Sequence, residues 1–125
     1  MSNERDATAF TPILRDVVER TPGVRAAVFA AGDGEEVEHY GELADNDVRV
    51  IAAHYGILLD GTRAALTRVG AGPPATLVFA HDRFAVVIRP VGEGYYLLLV
   101  AESGLVARAA RAVEAAAEAL RVEMG

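Results

Sequence analysis

The chain has 125 residues, 52% of them hydrophobic and 24% charged, with a formal net charge of −6. That size and composition describe one ordered globular domain that can bury its own core, not a disordered or fibrous chain. Cysteine is absent and every basic residue is Arg, which excludes disulfides, thiolate nucleophiles and Cys-ligated metal centres.

Residues 1–7 are expected to form a short flexible N-terminus, and residues 8–124 a single domain. Phe10, Ile13, Leu14, Val17 and Val18 recur at helical spacing, which predicts a helix over residues 8–20. Thr8 or Thr11 is placed to cap it, Pro12 fits its first turn, and Thr21-Pro22-Gly23 stops it. A strand follows at 24–30, and the turn Ala31-Gly32-Asp33-Gly34 returns the chain into a strand at 36–40. Asp33, Glu35, Glu36, Glu38, Glu42, Asp45 and Asp47 come with no Arg among them. Nucleic-acid phosphates are repelled by such a stretch. Its simplest reading is a solvated hairpin leading into a helix start, where carboxylates are favourable; a patch for a basic partner is the alternative.

Residues 45–69 read as one helix with two apolar faces where a lone domain needs only one. At about 100° per residue, Val48, Ile51, Ala52, Tyr55, Leu58, Leu59, Thr62, Leu66 and Val69 form a stripe that can cover a sheet. Val50, Ala53, His54, Ile57, Gly61, Ala64 and Ala65 form a second stripe, with Arg49, Asp60, Arg63 and Thr67 crowded between the two. An apolar strip of small residues left over after the core is served is a surface for docking another helix. Asp45 or Asn46 is placed to cap this helix, and Gly70 ends it. Gly56 and Gly61 lower its propensity, so packing must hold it together. Gly56 falls in the wedge and has no explanation in the sequence.

Three apolar runs follow Ala71-Gly72-Pro73-Pro74, at 76–80, 84–89 and 95–101. His81-Asp82-Arg83 and Gly92-Glu93-Gly94 supply the turns of an antiparallel meander. The last two runs and residues 24–30 lack polar alternation, which implies helices on both faces of the sheet. Ser103 is placed to cap a final helix whose inner face is Leu105, Val106, Ala109, Val113, Ala116, Leu120 and Met124. The order is αββαβββα.

Little in the chain points to chemistry. No two of His39, His54 and His81 have the i, i+4 spacing of a helical metal site. The glycine pairs Gly32/Gly34, Gly70/Gly72 and Gly92/Gly94 complete no phosphate-binding motif and read as turns, while Ser103-Gly104 lacks a nucleophile-elbow setting. Glu35 and Glu36 point to opposite sides of a strand, so paired acid/base work is not expected of them. Arg25, Arg83 and Arg89 read as solvated strand-end residues. No catalytic, cofactor or metal site is therefore expected. The longest apolar runs are too short to span a bilayer, and residues 1–6 lack the features of a secretion signal, so a cytoplasmic protein without membrane or nucleic-acid partners is expected.

From Phe10-x-x-Ile13-Leu14 through Thr21-Pro22-Gly23-Val24-Arg25-Ala26-Ala27-Val28 and Asp33-Gly34-Glu35 to the last helix, the chain resembles the roadblock/LC7 family. Its acidic second strand and following loop depart from the family pattern. The resemblance implies an α+β, profilin-like fold: a five-stranded antiparallel sheet with the central helix on one face and the two terminal helices on the other. It also implies homodimers whose central helices lie side by side and whose strands Thr76, Leu77, Val78, Phe79 and Ala80 pair across a two-fold axis. Family members act as non-enzymatic scaffolds or regulators of Ras-like small GTPases, and this chain is similar to the bacterial MglB type that acts on MglA-type GTPases in polarity and motility. No residue matches a catalytic finger. The alternatives are a heterodimeric scaffold pairing with another roadblock protein, a profilin-like or longin-like module holding a small ligand between sheet and helix, and an enzyme with an unrecognised site.

Overall fold

The elements of the computed structural model, which describes residues 8–125, are α1 (Thr11–Arg20), β1 (Val24–Ala31), β2 (Glu36–Gly41), α2 (Asp45–Arg68), β3 (Leu77–Ala80), β4 (Phe84–Val91), β5 (Tyr95–Glu102) and α3 (Val106–Met124). The expected N-terminal segment 1–7 lies outside the described residues. The five strands form one antiparallel sheet in the order β2-β1-β5-β4-β3. This is the αββαβββα arrangement read from the sequence.

The unbroken apolar runs of β1, β4 and β5 are explained by the two layers they separate. Ala27, Phe29, Val87, Leu97 and Leu99 pack with Leu14 and Val17 of α1 and Ala109, Val113 and Leu120 of α3. The alternate residues Val28, Ile88, Tyr96 and Leu98 pack with Val48, Ala52, Tyr55 and Leu59 of α2. One helix covers one face and two helices cover the other.

Local details depart from the sequence reading wherever a side chain finds a better partner. Helix α1 starts at Thr11 with Phe10 at its N-cap position; Thr8 Oγ1 accepts the Phe10 amide, and the Thr8 amide donates to Thr11 Oγ1, so both threonines shape the approach without capping. Ala44 precedes α2, and neither Asp45 nor Asn46 caps it. Asp45 instead lies 3.3 Å from Nε2 of His39. Ser103 belongs to a 3₁₀ turn, Ser103–Leu105, and its hydroxyl donates to the Asp82 carbonyl. Val69 is 75% exposed because α2 ends at Arg68 and Val69 takes the C-cap position beyond the sheet. Met124 is likewise exposed at the end of α3.

Tyr96 is the largest fully buried side chain, and its hydroxyl donates to the Ala52 carbonyl of α2. Burial, reinforced by the Asp33 and Asp60 carboxylates, pushes its phenol from 10.0 up to about 12. The folded state therefore holds this proton more tightly than the unfolded chain does. Its contribution to stability is complete below pH 10 and is lost as pH rises toward 12. Alkaline titration should show phenolate absorbance of Tyr96 appearing together with unfolding; ionisation of all four tyrosines in a still-folded protein would contradict this.

Candidate functional site

The second stripe of α2 stands out from the protomer. Val50, Ala53, His54, Ile57, Gly61, Ala64 and Ala65 are all exposed, Val50 at 60% and Ile57 at 72%. A Cβ on Gly61 would meet nothing within 4 Å. The sheet-facing stripe is buried at Val48, Ala52, Tyr55 and Leu59 and partly buried at Ile51, Leu58, Thr62 and Leu66. The core thus uses one face of α2, and the other remains as an apolar ridge.

Gly56 marks one flank of that helix. It is buried, and a Cβ there would lie 3.3 Å from the Gly34 Cα and 3.2 Å from the Tyr96 hydroxyl. The β1–β2 turn therefore seats directly on α2. The opposite flank lies over β3, where the rings of Tyr55 and Phe79 are 5.3 Å apart. His54 and Ala65 sit between the outward ridge and this flank, about 100° per residue around the helix.

Strand β3 is the edge beside that flank. It pairs only with β4 among the described residues, in the register Leu77↔Ile88 to Ala80↔Ala85. Leu77 and Phe79 pack toward the α2 core, whereas Val78 is 48% exposed and Ala80 is exposed. Thr76 does not join the strand: its hydroxyl accepts a hydrogen bond from Arg89 Nη1 at 2.7 Å. The apolar ridge of α2 and the outer edge of β3 are thus both exposed in the protomer.

Several of the titratable groups are tied into local pairs. His39 places Nδ1 2.6 Å from Glu36 and Nε2 3.3 Å from Asp45, so its two nitrogens address different carboxylates and do not converge with them on one ion. Arg25 is shared by Glu42 and Glu102, and Arg89 reaches Glu114 as well as Thr76. No spacing in the chain announces the 2.7 Å contact between Tyr55 Oη and His81 Nε2, because it depends on how the β3–β4 turn folds back toward α2.

No family model and no curated protein matches this chain. Solved structures do. A roadblock/LC7 domain from Streptomyces avermitilis superposes with a TM-score of 0.83 at 22% identity, covering 90% of this chain and 94% of the other. The gliding protein MglB from Thermus thermophilus gives 0.80 at 19% identity, over 90% of this chain and 85% of that one. An MglB described with a tetrameric arrangement gives 0.80 at 20% identity, over 94% and 86%. The order of elements, the sheet topology and the placing of one helix against two agree with these likenesses: the chain has the roadblock/LC7 fold.

Proposed function

We propose that this chain is a cytoplasmic, non-enzymatic homodimer that regulates or scaffolds a Ras-like small GTPase of the MglA type, in polarity or motility signalling. The observation that carries the dimer is the exposed ridge of α2. Its side chains are self-complementary about Ile57: Val50 and Ala64 stand seven residues to either side, and Ala53 and Gly61 four residues to either side. In an antiparallel pair, the larger Val50 of one copy meets the small Ala64 of the other, and Ala53 meets Gly61, as an isologous two-fold contact requires. The charges agree. Helix α2 begins with Asp45 and Asp47 and ends with Arg68, so antiparallel packing sets acid beside base at each rim, a feature that orients more than it tightens. The edge of β3, covered by its twin, would close the two sheets into one.

The GTPase reading rests on the fold shared with MglB, which in Thermus thermophilus is a gliding protein. No described helix is long and apolar enough to cross a membrane. The test is capture of the host's small GTPases by the purified chain, with each GTPase loaded with GDP or a GTP analogue and its hydrolysis followed with and without the chain. Capture that depends on the nucleotide state supports the proposal. Absence of capture in both states would overturn it, and pairing with a different roadblock chain would then be the reading to pursue.

A further inference from the structure

Helix α2 leaves one end of the sheet uncovered. Between it and the turn at 81–83 lies a groove of about 540 Å³. Its floor is Ala26, Val86 and Val100, one residue from each of β1, β4 and β5, all buried on the α2 side of the sheet. Ile51 lines one side, and Phe84 lines the other at 41% exposure. The groove is thus an opening into the second core, of the size and apolar character of small-ligand sites.

Polar groups gather at its mouth. Arg25 and Glu42 are there but engaged with each other at 3.5 Å, and Arg25 also reaches Glu102 at 3.4 Å. The Tyr55 hydroxyl, whose pKa is raised by burial, is hydrogen-bonded to His81 Nε2 at 2.7 Å. Asp82 and Arg83 also line the mouth, and neither has an ion-pair partner within 4.0 Å among the described residues. Neighbours of opposite sign, both free and both beside an apolar floor, ask for a ligand with the reciprocal arrangement.

The geometry points to a binding site for a zwitterion with an apolar body, an apolar amino acid or dipeptide with both ends free. Its ammonium group meets Asp82, its carboxylate meets the fork of Arg83, and its side chains cover Val86 and Val100. Charge-assisted pairs to both ends favour the zwitterion over an amine, an acid or a neutral amphiphile, each of which leaves one of the two residues unanswered. This is separate from the assembly of α2, whose outer ridge contributes nothing to the groove.

Leucyl-leucine is the probe, titrated into the whole protein and followed by the methyl signals of Ile51, Val86 and Val100. Saturable shifts confined to these residues are expected. N-acetylation or C-amidation of the dipeptide should each weaken binding by about tenfold or more. Arg83→Gln should weaken the free dipeptide to the same degree yet leave the C-amide unchanged, and Asp82→Asn should do the same for the free and N-acetylated forms. Both side chains are exposed, and Asp82→Asn keeps the backbone carbonyl that Ser103 uses, so both variants should fold. Ile57→Asp, on the outer face of α2 and outside the groove lining, should bind as wild type does. No saturable shift, shifts on the outer ridge of α2, equal binding of the blocked dipeptides, or losses that ignore the matching of variant to blocked end would each overturn the assignment. If leucine binds as tightly as the dipeptide, the pocket reads one residue and the proposal stands in its smaller form.

Discussion

Ile57→Asp should convert the protein into a folded monomer. In a single protomer Ile57 is 72% exposed, so an aspartate there stays solvated and the fold loses nothing. At the proposed two-fold axis the substitution would act twice: two carboxylates would face each other in a contact stripped of water. Burying such charges without partners costs several kcal/mol, which weakens the dimer by roughly a thousandfold or more. Sedimentation velocity reads the assembly, and circular dichroism reads the fold. The unfolding midpoint should fall only by as much as the loss of association accounts for. A variant that assembles as wild type does would place the interface elsewhere.

Gly34→Ala should damage the fold itself. Gly34 has φ +92, and an added Cβ would lie 2.8 Å from the Cα of Ala53, which is backbone and has no flexible end to move aside. The left-handed conformation costs a non-glycine residue about 1 kcal/mol, and forcing the β1–β2 turn off α2 costs roughly 1–3 kcal/mol more. A fall of about 2–4 kcal/mol in the free energy of urea unfolding, with little change in its slope, is the expected result. Ala53 stands on the outer ridge, so the displaced turn should also loosen the proposed dimer. A stability within error of wild type would mean that the turn does not seat on α2.

The layers were legible because hydrophobic period is a local property. Leu14 and Val17 repeat at helical spacing, residues 97–99 are buried on both faces of the sheet, and Asp33-Gly34 marks a hairpin; each announces its element without reference to the rest of the chain. The two faces of α2 were legible for the same reason. What the sequence hid depends on contacts distant along the chain. Gly56 has no meaning until Gly34 is seen against it. Asp45 and Ser103 look like caps by local preference, but His39 and the Asp82 carbonyl take them instead. Thr76 has strand propensity, yet β3 begins one residue later, at Leu77. The groove beneath Phe84 joins residues from six segments of the chain, and no spacing rule brings those together.

The most direct test of the ridge as a self-complementary contact uses the absence of cysteine, because a single introduced thiol can then couple only to its own copy. Ile57→Cys places that thiol at the centre of the pairing, where an antiparallel two-fold brings the two Cα atoms within disulfide reach, about 7 Å or less. Under mild oxidation Ile57→Cys should form a covalent dimer, while Ala115→Cys, exposed on α3, should form none. Failure of Ile57→Cys to couple, with both thiols equally open to maleimide, would contradict the account.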